Sequence, residues 1–263
     1  MGAMLSIFAL TVNSAQVKSV PVLKEESVSY SSEGITMKGF VVYDDNIKGK
    51  RPAVLVVHEW CGLTDYTKMR ARKLAELGYI AMAVDMYGEG KIANNPKEAQ
   101  DMAGAFYGNP QLSKARFEAA LKKIKEFSQT DANNVLAIGY CFGGSVVLNA
   151  AKLGTDLKGV VSFHGGLAGV PAQKGLLKSK ILICHGGADK FVSEKDVNNF
   201  KHQMDSIGAD YSFKVYPNAT HAFTNPDATD IGKKFNMPIA YNAEGDRDSW
   251  NDMKTFFAKV LGK

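Results

Sequence analysis

The sequence predicts an α/β protein with a mostly parallel central sheet and helices on both faces. Three observations carry this expectation. Apolar, strand-like runs alternate with amphipathic stretches almost throughout the chain. Some of these runs, such as residues 52–58, are continuously apolar, as strands buried on both faces must be. Most of the runs end in a polar segment containing glycine, where a chain leaving a sheet edge would turn.

Residues 1–20 read as a signal-like or disordered segment. An apolar run at 4–12 is followed by the small residues Asn13-Ser14-Ala15, as at the end of a secretory signal. No Lys or Arg precedes the run, and it is too short to span a membrane. The expectation is a periplasmic or secreted protein, with a cytoplasmic one as the alternative. Residues 21–263 read as a single domain, without internal repeat, low-complexity tract or linker.

Within it, residues 22–28 and 35–43 are strands around the turn Ser31-Ser32-Glu33-Gly34, rich in β-formers. A polar loop at 44–50 leads into the buried strand 52–58. Residues 66–77 form an amphipathic helix that Gly78 terminates. The strand 79–84 ends at Asp85-Met86-Tyr87-Gly88. Helices cover 96–107 and 112–127; Leu112, Phe117, Leu121, Ile124 and Phe127 lie near one face of the second. Strand 135–138 and helix 145–151 follow. Strands 157–163 and 180–185 end at His164-Gly165-Gly166 and Gly186-Gly187-Ala188-Asp189. Helix 193–207 has Ser193 as its N-cap with Asp196 near N3. Strand 210–216, a loop through 217–223 and a helix over 246–261 complete the chain.

The net charge of +5 comes from scattered lysines, with no basic stripe to hold nucleic acid. The 3 cysteines are too few for a disulfide framework. No His/Cys/Asp/Glu group has metal-ligand spacing, so neither a metal nor a cofactor is expected. The expected partner is a small molecule, not nucleic acid or membrane, and the chain would act as a monomer or homodimer.

The chemistry centres on Gly139-Tyr140-Cys141-Phe142-Gly143-Gly144, between a strand and a helix. This Gly-x-nucleophile-x-Gly pattern is the nucleophile elbow of the α/β-hydrolase fold, with cysteine in place of serine. Its glycines let strand and helix approach around a strained turn. The Phe142 N–H, at the helix start, would face the reacting carbonyl; the Trp60 N–H, after strand 52–58, would be the second oxyanion donor. Hydrolases of this fold present nucleophile, acid and histidine in that chain order, which selects Asp189 and His221. Taken singly, Cys141 could be a small core residue, Asp189 a turn residue and His221 a surface histidine; the glycine frame and the order favour catalysis. His58, His164 and His185 end strands and are expected to line the cleft. His202 sits inside a helix, solvated or packed. Cys184 reads as core and Cys61 as an exposed or cleft-lining thiol. Glu59 would be a second acid acting on the thiol, or a solvated acid paired with Arg70 or Arg72.

Five segments together, His58-Glu59-Trp60-Cys61-Gly62, Asp85-Met86-Tyr87-Gly88, the elbow, His185-Gly186-Gly187-Ala188-Asp189 and Thr220-His221-Ala222-Phe223, resemble the dienelactone hydrolase family from about residue 35 to the C-terminus. The resemblance implies a Cys141-Asp189-His221 triad, a thioester acyl-enzyme, and a Glu59 that contacts the resting thiol and promotes its ionisation when substrate binds. It implies a hydrolase of a small ester or lactone, carboxymethylenebutenolidase-like. The same triad would also serve an acyltransferase or peptidase, and a non-catalytic thiol sensor is the remaining reading. Family members acting on the dienelactone hold its carboxylate with two arginines. Gly88 stands at one of those positions, and Asn225 stands near the other. Tyr87, Phe223 and Trp60 would wall the acyl pocket, with Asn225 among the substrate-binding residues. A neutral His221 acting as base implies activity that falls at acid pH.

Overall fold

A computed structural model describes residues 20–262. The signal-like segment therefore lies outside the described residues, apart from Val20. The antiparallel pair β1 (Leu23–Ser32) and β2 (Ile35–Asp44) forms one edge of the sheet. Its register runs unbroken from Leu23↔Asp44 to Ser32↔Ile35, so the hairpin turns on Glu33-Gly34 alone. Both residues have positive φ, 52° and 77°, which suits the right-handed twist of the two strands. β1 thus extends past the expected residue 28.

The parallel part comprises β3 (Arg51–Val57), β4 (Ile80–Val84), β5 (Thr130–Tyr140), β6 (Gly159–Phe163), β7 (Lys180–Gly186) and β8 (Tyr211–Tyr216). The 8 strands lie in the order β1-β2-β4-β3-β5-β6-β7-β8. The chain leaves β3 for β4 on one side and returns to β5 on the other. The β3/β5 boundary is therefore the switch point, where an open α/β sheet forms its ligand crevice.

Seven helices among the described residues cover the sheet: α1 (Asp65–Glu76), α2 (Pro96–Tyr107), α3 (Pro110–Lys125), α4 (Phe142–Lys152), α5 (Glu194–Ile207), α6 (Ala228–Phe235) and α7 (Ala243–Val260). Successive β3 residues point to opposite faces. Leu55 and Val57 join the core that includes Phe117, Phe142 and Phe200; Val54 and Val56 join the core that includes Leu74, Phe163 and Phe257. Both faces are apolar, which is why the strand sequence does not alternate. Asn95, Asn109, Ser193 and Asn242 cap their helices by accepting the N–H of Glu98, Leu112, Asp196 and Gly245.

The α6 helix has no counterpart in the expectations above. Gly232 lowers its helical propensity, but a Cβ there would lie 2.4 Å from the Ile239 carbonyl oxygen, so close packing requires the glycine. α7 also starts earlier than residue 246. No described helix is long and apolar enough to cross a membrane.

Candidate active site

The elbow forms as its residues require. Cys141 joins β5 to α4 at φ 52° and ψ −114°, a region that costs a non-glycine residue about 1–3 kcal/mol. The glycines make room for this. A Cβ at Gly139 would lie 2.0 Å from the Gly143 oxygen, and one at Gly143 would lie 2.3 Å from the Val57 oxygen. The Gly143 N–H donates to the His58 carbonyl (3.0 Å), tying the start of α4 to the end of β3. Among the described residues, the N–H groups of Trp60 and Phe142 meet no protein acceptor. Two free donors therefore remain on the segments flanking the half-buried Cys141.

Three side chains from different strand ends form a hydrogen-bonded chain. His221 Nε2 lies 3.0 Å from Cys141 Sγ, and His221 Nδ1 lies 2.8 Å from Asp189 Oδ2. The Asp189 side chain is fully buried, and its Oδ1 accepts the Phe191 N–H (2.8 Å). Burial alone would raise the Asp189 pKa, but the bond and charge of His221 and the Phe191 N–H hold it below the ordinary carboxylate value. Burial works against a charged His221, yet Cys141 and Asp189 outweigh it and carry its pKa up to about 10.

Glu59 departs from the expected arrangement. Its Oε2 accepts from Asn225 Nδ2 at 2.6 Å, whereas the hydrogen-bond partner of the thiol is His221. Neither arginine of the alternative reading pairs with it: Arg70 bonds Asp246 (2.5 Å) and Arg72 bonds Glu25 (2.6 Å). Glu59 keeps part of its surface exposed; burial nonetheless pushes its pKa up to about 7, against the pull of Asn225, His221 and Arg70.

Other expected roles change as well. Phe223 is fully buried, its ring 5.3 Å from that of His164, so it supports the site from behind and has no surface to give a substrate. Asn225 is 5% exposed, with its amide oxygen on the Asp227 N–H (3.0 Å) and its nitrogen on Glu59, which makes it a holder of Glu59 and leaves it no face for substrate. Tyr87 is buried against His58 and Phe142 and donates to the Trp60 carbonyl (2.6 Å), so its hydroxyl braces the Trp60 loop. His58, His164 and His185 are buried structural groups and do not line the cleft. His58 Nε2 accepts the Met86 N–H (3.3 Å), which leaves Nδ1–H for the Glu59 carbonyl (2.5 Å). Cys184 is core as expected; Cys61 is half-buried, and burial pushes its thiol up to about 12. His202 is exposed on α5.

His164, expected only to line the cleft, instead contacts the elbow backbone, and two residues near the site, Tyr107 and Phe191, were not expected there. His164, itself at φ 41°, accepts the Cys141 N–H at Nδ1 (3.1 Å) and donates from Nε2 to Thr224 Oγ1 (2.8 Å). Burial keeps this imidazole neutral. Tyr107 is 55% exposed, with its ring 5.7 Å from Phe142; Phe191 is 51% exposed, with its ring 5.0 Å from His221. Phe191 offered a signal, an aromatic in a polar loop two residues after Asp189. Tyr107, at the end of a helix, offered no such signal.

A strained elbow at the carboxyl end of a central parallel strand, with an acid and a histidine arriving from later strand ends, defines an α/β-hydrolase. The sequence pattern of the dienelactone hydrolase family matches residues 37–261, and the chain belongs to that family. It is a hydrolase of the dienelactone hydrolase type. It is 29% identical to Protein usf of Aquifex pyrophilus and 28% identical to a putative carboxymethylenebutenolidase of Aquifex aeolicus, each alignment covering 90% of this chain and 99% of the relative. Among solved structures, a dienelactone hydrolase-like promiscuous phosphotriesterase from metagenomic libraries superposes with a TM-score of 0.85 at 31% identity, over 90% of this chain and 98% of that one.

Proposed function

We propose that the protein hydrolyses small esters or lactones through a Cys141 nucleophile, with His221 as proton carrier and Asp189 as its orienting acid. The observation that carries this reading is the unbroken contact from Cys141 Sγ through His221 to Asp189. The thiolate attacks the acyl carbon, and the N–H groups of Phe142 and Trp60 receive the negative charge that develops on its oxygen. The imidazolium of His221 gives its proton to the leaving alkoxide as the C–O bond breaks, which leaves a thioester on Cys141. Water then loses a proton to His221 and attacks the thioester, and the C–S bond breaks to release the acid and restore the thiolate–imidazolium pair. Asp189 holds the imidazole orientation and favours its charged form throughout.

The test is turnover of short-chain p-nitrophenyl esters, together with intact mass after brief mixing. Wild type should turn over and carry an acyl adduct; Cys141→Ala should carry none and lose at least ~10³-fold in kcat. Equal activity in the two proteins would sink the reading.

A further inference from the structure

We infer that the acyl pocket accepts uncharged acyl groups and excludes those bearing a carboxylate, because Asn225 fixes Glu59 on the loop that adjoins the nucleophile elbow and every arginine is bound elsewhere. This rests on the proposed hydrolase reading and names its substrate class. The Glu59–Asn225 bond joins the loop after β3 to the loop that carries His221, so it spans the segments on either side of Cys141. Asn225 is itself anchored: its N–H donates to the Ala222 carbonyl (2.9 Å) and its amide oxygen accepts from Asp227. The Glu59 carboxyl is thus held in place while part of the residue remains exposed.

A carboxylate on the substrate would need an opposing cation, best a forked guanidinium. Arg51 donates to the carbonyls of Asp44 and Ile47, Arg70 to Thr224 and Asp246, and Arg116 to the carbonyls of Met86 and Tyr87. Arg72 pairs with Glu25, and Arg247 with Asp248. Lys91 and Lys190 adjoin the site loops but are exposed, so they offer hydrated point charges without fork geometry. Exposed apolar side chains flank the site instead. Tyr107 and Phe191 are half-exposed beside it, and Ile92, 49% exposed, lies on the segment packed against Cys61 and Gly62. Large exposed apolar groups gathered around one cleft are the usual sign of an apolar ligand.

The experiment compares two p-nitrophenyl esters of matched length: the glutarate monoester, which is anionic, and its methyl-capped counterpart, which is neutral. At pH 8 the neutral ester should have a kcat/KM at least about tenfold higher, from like-charge repulsion in a partly desolvated cleft. The groups acting on Glu59 are Asn225, His221, Arg70 and Asp227, and their balance places its titration near 7. The preference should therefore shrink at pH 6, where Glu59 is largely protonated and the glutarate remains ionised. Glu59→Gln should narrow the ratio at pH 8, whatever it does to the absolute rates. A ratio near one in wild type, with both esters turned over, overturns this inference and leaves the hydrolase reading intact. So does a ratio that Glu59→Gln leaves unchanged. If neither ester is turned over and no acyl adduct forms on Cys141, both readings fall.

Discussion

His221 shows how one side chain's contacts set its chemistry. A solvated histidine titrates near 6.5, which led to the expectation of a base lost at acid pH. Its position between Sγ and the buried Asp189 raises its pKa to about 10. A group raised in this way keeps its proton below the shifted value and loses it as pH rises through that value. The proton on His221 is therefore present at neutral pH, where the proposed mechanism needs it for the leaving alkoxide. Alkyl esters should lose turnover as pH rises through about 10. Rates of acylation by p-nitrophenyl esters, whose leaving group departs without a proton, should not fall there. Stopped-flow acylation rates across pH 7–11 for both leaving groups make the comparison, and parallel profiles would remove His221 from the acid role.

At the scale of elements, a buried polar cluster joins α1 to α7. Arg70, 1% exposed, donates to Asp246 and to the Thr224 carbonyl, and its guanidinium lies 5.2 to 5.5 Å from the rings of Tyr66, Trp250 and Tyr140. Thr224 also bonds Tyr66 and His164, and His164 accepts the Cys141 N–H, so the cluster ends at the elbow. Removing one partner leaves a buried charge unpaired, at a cost of about 3–5 kcal/mol. Asp246→Ala should lower stability by that amount in urea unfolding. Asp101→Ala, which removes the exposed Lys97 pair, should leave stability nearly unchanged. Similar losses in the two variants would show that the cluster does not hold the helices together.

Across the whole molecule, the antiparallel edge is linked to the site through Asp85. This residue is 1% exposed, and its carboxylate accepts four backbone N–H groups: Tyr87 (3.0 Å) and Gly88 (2.8 Å) on Oδ1, Lys38 and Gly90 (both 2.9 Å) on Oδ2. The Tyr30 hydroxyl, from β1, donates to its carbonyl. Tyr87, shaped by this loop, donates to the Trp60 carbonyl, so the path runs from sheet edge to proposed oxyanion donor. Asp85→Asn places an amide NH₂ against two N–H donors and should cost about 3 kcal/mol. It should also lower kcat on a neutral ester, because the Trp60 loop loses its brace. Wild-type stability in urea and unchanged kcat would refute both parts.

Legibility followed the range of the interaction. The elbow could be read because its demands are local: a strained residue needs small neighbours two positions away on either side, as Gly139 and Gly143 show. The strand ends bearing Asp189 and His221 could be read because alternating elements and chain order define them. Helix α6 could not, since Gly232 argues against a helix until the Ile239 carbonyl is seen to require it. Phe223 and Asn225 were placed by proximity in sequence to His221, a distance that says nothing about which way a side chain faces.

What the sequence alone determined is the sheet with its buried strands, the cysteine at the turn, and the order of its partners. The first follows from hydrophobic periodicity, the second from steric needs within a few residues, and the third from the chain order that this fold imposes. What only the tertiary structure decided is who meets whom. Glu59 bonds Asn225 across 166 positions and Arg70 bonds Asp246 across 176, so neither the expected contact of Glu59 with the thiol nor the alternative pairing with an arginine forms. Those choices are made by competition among buried charges for the best available partner. That competition begins only once the sheet has brought distant loops together.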